Sequence, residues 1–156
     1  MTAAALTVIL AVPDVAEAVL FYRKLGFGQT FAIPDPEGKV VHSEMAIATS
    51  TIMLGPLHLS HYQSEERSRM LQRGPRGLGA TLMLAVDDVN AMAGVIRGEQ
   101  VEILLEPVDE FYGQRVCFFI DPFGYEWKLT QTCETVDRDE VVRRATGKSS
   151  PTADLT

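Results

Sequence analysis

Two stretches decide the fold: Thr7-Val8-Ile9-Leu10-Ala11-Val12-Pro13-Asp14-Val15 and Thr81-Leu82-Met83-Leu84-Ala85-Val86-Asp87-Asp88-Val89. They lie 81 − 7 = 74 residues apart, and six of the nine positions are identical. Self-similarity at a fixed offset marks a duplicated structural unit. Each copy runs from a β-rich apolar segment into an Asp, and a helical pattern follows. Asp14 caps the first helix, with Glu17 placed three residues on to complete a capping box. Val15, Ala18, Val19 and Tyr22 then form one apolar stripe, and Gly26 closes the helix as a left-handed cap. In the second copy Asp88 caps, Val89, Met92, Ala93 and Ile96 form the stripe, and Gly98 ends it.

Strand material follows each helix: Gly28–Pro34, Val40–Ala48 and Thr51–Leu54, then Val101–Leu105, Arg115–Ile120 and Tyr125–Thr130. Pro34-Asp35-Pro36-Glu37-Gly38 and Asp121-Pro122-Phe123-Gly124 supply turns. Each half reads β-α-β-β-β. Between them, roughly Ser60 to Gly79 is a polar, Gly/Arg-rich linker with a short helix expected around Glu65–Gln72. A last helix is expected over Asp137–Thr146, opened by Asp137 and Glu140. The ten or so residues from Lys148 on read as a flexible tail.

The chain has 156 residues, with 14 Lys+Arg against 21 Asp+Glu and a formal net charge of −7. An acidic balance argues against a nucleic-acid partner and against docking on an anionic membrane. Hydrophobic residues make up 46 % and charged residues 22 %, which is globular rather than disordered usage. No run approaches the roughly 18 apolar residues of a membrane span. The apolar run Ala3–Val12 lacks the flanks of a signal peptide and reads as a strand, so the expected compartment is the cytoplasm. Cys117 and Cys133 make no disulfide framework and read as small buried hydrophobes.

The doubled unit resembles the vicinal oxygen chelate superfamily, which includes glyoxalase I, extradiol dioxygenases, fosfomycin-resistance enzymes and bleomycin-resistance proteins. The resemblance covers about residues 6 to 132. It is carried by the L-x-V-x-D-V start of each half, by Phe21-Tyr22-x-x-Leu25-Gly26-Phe27, and by Asp121-Pro122-Phe123-Gly124. Asp109-Glu110-Phe111-Tyr112-Gly113-Gln114-Arg115 before that turn, with a Trp-bearing strand after it, is similar to the bleomycin-resistance-like branch. The resemblance implies an α+β fold: two tandem βαβββ modules, residues 6–59 and 80–132, curling into half-barrel sheets with helices outside. They would form a single domain over residues 6–132, followed by a helix and tail over residues 133–156.

Metal enzymes of the superfamily place four ligands, at the start of each module's first strand and in each module's last strand. The matching positions here are Thr7, Met53, Thr81 and Lys128. None is a usual divalent-metal ligand, and Lys128 puts a cation where a dication would sit. No metal and no cofactor are therefore expected.

Strand alternation sorts the remaining candidates. Glu126, Lys128 and Thr130 share a face, leaving Trp127 and Leu129 for the core. His42, Glu44 and Ala46 oppose Met45 and Ile47. Arg115–Ile120 does not alternate cleanly, and the resemblance implies Val116 and Phe118 as its inward residues. The expected ligand-binding residues are His42, Glu44, Met53, Tyr112, Arg115, Phe118, Glu126 and Lys128, with Ile9 and Val116 as apolar wall. Three alternatives stay open. Glu126 and Lys128 pair with each other rather than with a ligand. His42 and Glu44 are a displaced metal site, an acid–base pair, or two polar residues near a strand end. Tyr112 and Arg115 are ligand contacts at a cavity mouth, or else Phe111 plugs the core, Gly113 makes a tight turn and Arg115 pairs with an acidic neighbour. His58 and His61 read as exposed linker residues.

The function these observations imply is metal-independent binding of a hydrophobic or aromatic small molecule; the resemblance further implies a homodimer, with antibiotic sequestration as one form. The alternative is a glyoxalase- or dioxygenase-like enzyme, a lyase, isomerase or oxygenase, using displaced ligands or His42/Glu44 catalysis.

Overall fold

The computed structural model describes residues 6–58, 64–99 and 101–147. The expected tail lies outside the described residues, as does His61. The chain is α+β, and its elements repeat in the order the sequence predicts. The first set is β1 (Val8–Val12), α1 (Val15–Lys24), β2 (Gly28–Pro34), β3 (Val40–Ile47) and β4 (Ser50–Pro56). A helix α2 (Glu65–Arg73) precedes the second set, which is β5 (Thr81–Ala85), α3 (Val89–Arg97), β6 (Glu102–Asp109), β7 (Gln114–Ile120) and β8 (Glu126–Thr132). Helix α4 (Arg138–Thr146) follows.

Each set makes one open four-stranded sheet, ordered β1-β4-β3-β2 and β5-β8-β7-β6. In both, the first strand pairs in parallel with the last, and the other pairings are antiparallel. The parallel pairing requires a long crossover, and the helix after each first strand supplies it. The chain divides into two compact units, residues 1–78 with 123–125, and residues 79–122 with 126–156.

Local chemistry explains both helix starts. Asp14 Oδ1 accepts from the Ala16 and Glu17 N–H groups at 2.9 and 3.1 Å, and Asp88 Oδ1 from Ala91 at 2.9 Å. The Glu17 N–H and the Lys39 ammonium, 3.0 Å away, hold the Asp14 carboxyl below its ordinary range. The two C-termini differ. Gly26, at φ +97°, lets its own N–H reach Arg23 O at 3.0 Å while Phe27 N–H reaches Tyr22 O at 3.1 Å, a Schellman end. Gly98 instead stays right-handed at φ −74°, so the expected left-handed stop occurs in the first copy and a right-handed one in the second.

In the first unit α1 packs on β3 and β4. Tyr22, Leu25, Met45 and Leu54 are sealed there, and each such large apolar side chain contributes about 1.5–3 kcal/mol. Phe123, from the Asp-Pro-Phe-Gly turn, belongs to this unit and meets Phe21 and Tyr22 at ring separations of 5.9 and 5.8 Å. In the second unit α3 packs on its sheet. Trp127 stacks on Phe119 at 6.5 Å and donates to Asp121 at 2.9 Å, so it is the expected core residue. Cys117 is buried, which pushes its thiol pKa up, whereas Cys133 is exposed, contrary to the reading of both as buried hydrophobes. Cys133 lies just past the end of β8, where no sheet covers it. No described helix is long and apolar enough to cross a membrane.

Candidate functional site

Each sheet turns one face to its helix and leaves the other free. On the first sheet, pairing aligns Ile9 with Met53, Met53 with Glu44, and Glu44 with Phe31 in one row. On the second, Met83 aligns with Lys128, Lys128 with Phe118, and Phe118 with Leu105. Residues directly opposite across a sheet share a face. Ile9 and Met83 are 83 − 9 = 74 residues apart, so the two rows are the same place in the duplicated unit. This register makes Met53 the counterpart of Lys128, the pairing that the metal-position comparison assumed.

Both rows are apolar and open. Ile9 is 60 % exposed, Phe31 51 % and Met83 67 %. Exposed apolar rows of this size are uncommon on the surface of a single chain. Each row carries one charge, the Glu44 carboxylate in the first and the Lys128 ammonium in the second.

On the first sheet His42 joins Glu44 on the free face, opposite the buried Ser43 and Met45. His42 Nε2 stands 3.9 Å from Glu44 Oε1, beyond hydrogen-bond reach. Ile33 faces His42 across the strand pair.

On the second sheet Lys128 Nζ lies 3.3 Å from the Tyr112 hydroxyl oxygen. It also stands over the Tyr112 ring at 5.3 Å and the Phe118 ring at 5.5 Å, within cation–π range. Glu126 does not pair with it. The Glu126 carboxylate accepts from Thr81 Oγ1 at 2.6 Å. Val116 and Thr130 lie on this face as expected but are covered.

Arg115 is not brought to this face. It alternates with Val116, falls on the helix side of the sheet, and grips Asp109 with two bonds, Nε to Oδ1 at 2.7 Å and Nη2 to Oδ2 at 2.9 Å. The guanidinium holds the Asp109 carboxyl below its ordinary range. Phe111, in turn, does not plug the core; it is 47 % exposed and meets Tyr112 edge-on. Gly113 makes the expected tight turn and Arg115 pairs with an acid, while Tyr112 faces Lys128.

The Tyr112 turn is clamped from the C-terminal side, a feature that pattern reading missed. Gly113 O accepts from the Cys133 and Glu134 N–H groups at 2.9 and 3.0 Å. Arg144, on α4, donates to Phe111 O at 3.0 Å and to both Glu134 oxygens at 2.9 Å. It also reaches Glu140 Oε1 at 2.9 Å. These bonds to Arg144 pull the Glu134 and Glu140 carboxyls below their ordinary range. The i, i+4 spacing of Glu140 and Arg144 is the only part of this network that sequence spacing signals.

Among the described residues no three His, Cys, Asp or Glu side chains are grouped to hold a metal ion. Neither Thr7 and Met53 in the first unit nor Thr81 and Lys128 in the second supplies an imidazole, carboxylate or thiolate ligand. A separate groove of about 540 Å³ runs along α2, beside Arg67, Met70, Leu71 and Leu78. It contains none of the expected site residues.

The chain is 32 % identical over 135 residues to an uncharacterized protein of Mycobacterium bovis, spanning 85 % of this chain and 86 % of that one. An uncharacterized protein of Mycobacterium tuberculosis matches equally over 76 % of its length. Among solved structures, UcmS2 superposes with TM-score 0.64 at 22 % identity, covering 83 % of this chain and 98 % of that one. TioX from Micromonospora sp. ML1 gives 0.62 at 19 %, covering 83 % and 99 %. A glyoxalase/bleomycin resistance protein/dioxygenase superfamily member from Sphaerobacter thermophilus gives 0.60 at 22 %, covering 83 % and 98 %. At these identities the three share the fold with this chain. A family model matches residues 4–129 across both repeats, and the chain belongs to the Glyoxalase/Bleomycin resistance protein/Dioxygenase superfamily.

Proposed function

We propose that this protein binds a hydrophobic or aromatic small molecule without a metal ion, in the cytoplasm and as a homodimer, and that antibiotic sequestration is one form of this activity. The observation that carries the reading is the content of the two matched rows. At the positions that the resemblance assigns to metal ligands, this chain has Thr7, Met53, Thr81 and Lys128, and the rows through Met53 and Lys128 are otherwise apolar apart from Glu44. A mostly apolar surface with a few placed polar groups is the usual chemistry of a small-molecule site. Covering such a surface with a ligand or a second copy removes apolar area from water.

The test is elemental analysis of protein purified after growth in metal-supplemented medium, paired with a thermal-shift screen of aromatic compounds. Substoichiometric metal and a ligand-dependent rise in melting temperature are expected, since a ligand selective for the folded state raises its apparent stability. Stoichiometric transition metal that disappears in a His42→Ala/Glu44→Ala variant would overturn the proposal in favour of an enzyme with displaced ligands.

A further inference from the structure

Lys128 is the one charged side chain in its row, and the groups around it are unusual for a surface lysine. Its ammonium has three donor hydrogens. Tyr112 Oη accepts at 3.3 Å and can take one of them. Among the described residues no carboxylate lies within ion-pair distance of it, although the chain has 21 Asp and Glu. Glu126, two residues away on the same strand face, is turned to Thr81. The other neighbours are the Tyr112 and Phe118 rings, with Met83 beside the lysine and Leu105 beyond Phe118. Two donor hydrogens therefore have no acceptor among the described residues.

The geometry points to Lys128 as the anchor for an oxyanion, a carboxylate or phenolate carried on the hydrophobic scaffold of the bound molecule. This rests on the small-molecule reading above and names the ligand class. An anionic oxygen accepts the two remaining N–H groups, and charge-assisted bonds of this kind are roughly twice as strong as neutral ones. Tyr112 and Phe118 offer ring faces to the scaffold, and shielding by these rings weakens competition from water. A cationic ligand would meet the ammonium head-on. The lysine presents a positive charge to a ligand oxygen, with no Lewis-acid chemistry attached. The C-terminal clamp on the Tyr112 turn fixes the distance between ring and ammonium before a ligand arrives, which lowers the ordering cost of binding.

The experiment compares two isosteric probes, 2-naphthoate and 2-naphthamide, by isothermal titration up to millimolar concentration. The wild-type protein should prefer naphthoate by about tenfold, the scale of one charged hydrogen bond. Lys128→Gln should bind both compounds with the weaker, naphthamide-like affinity. Lys128→Arg, which keeps the cation, should retain the preference, and it guards against misreading a folding defect in the glutamine variant. Equal binding of the two probes by the wild type would overturn the anchor while leaving the apolar-ligand reading in place. A preference that survives in Lys128→Gln would overturn it too. Binding of neither probe would overturn both.

Discussion

The turn joining β2 to β3 and the turn joining β6 to β7 share a backbone and differ in everything around it. In the first, Asp35 N–H donates to Lys39 O at 2.8 Å and Gly38 N–H to Asp35 O at 2.9 Å. In the second, Glu110 N–H donates to Gln114 O at 2.8 Å and Gly113 N–H to Glu110 O at 2.9 Å. Both glycines are left-handed, at φ +85° and +84°. The first turn is stitched by its own Asp35, whose Oδ1 accepts from Glu37 and Lys39 N–H groups, and a Cβ on Gly38 would meet nothing within 4 Å. The second turn relies on remote chain. A Cβ on Gly113 would stand 2.3 Å from Glu134 O. The duplicated unit therefore kept a hairpin that suits both halves, and only the second copy was built into a brace for an aromatic side chain.

The largest effect should come from the paired substitutions Gly113→Ala and Gly38→Ala. Each incurs the left-handed penalty of about 1–2 kcal/mol. Gly113→Ala must also push apart two backbone segments, so its total should reach about 3 kcal/mol or more, against about 1–2 for Gly38→Ala. Urea denaturation of the two variants measures the gap. Equal midpoints would show that the C-terminal clamp yields freely and that the two turns are alike after all.

A smaller effect is expected from the clamp's charges. The Glu134 and Glu140 carboxyls are held below their ordinary range by Arg144. A depressed folded-state pKa gives stability that is present above the unfolded value, about 4.3 for Glu, and is lost as pH falls through the folded value. Amide exchange at Gly113 and Gln114 should therefore accelerate severalfold as pH is lowered below about 4, after correction for intrinsic rates. Arg144→Ala should give the faster Gly113 exchange already at neutral pH. Unchanged exchange there would mean that the two Gly113 O bonds alone hold the turn.

The smallest effect probes the matched rows. Met53→Lys places a second ammonium at the counterpart of Lys128, directly opposite Glu44. Glu44 should pair with it, so naphthoate affinity should change less than about twofold, since partly exposed ion pairs contribute only about 0–1 kcal/mol. A gain approaching the Lys128-dependent preference would show that the first row is an equal site and that the asymmetry drawn between the halves is mistaken.

Much of this was legible in the chain. The offset between Thr7–Val15 and Thr81–Val89, the two Asp caps and the turn residues prescribe two β-α-β-β-β units, because helical and strand periodicities and caps are local properties. Alternation also places Lys128 and Glu126 on one face and Trp127 on the other, since a strand's side chains have a period of two; only the pairing of β7 with β8 brings Phe118 to that face. Tertiary structure alone decided the rest. Bulges between Ile103, Leu105 and Val108 fix which β6 residue lies beside Phe118, and no periodicity encodes an inserted residue. Hydrogen bonds across 33 positions, from Arg144 to Phe111, and across 45, from Thr81 to Glu126, arise only once the chain has closed on itself. That closure is what turns Glu126 to Thr81, away from Lys128, and leaves an ammonium facing open apolar surface.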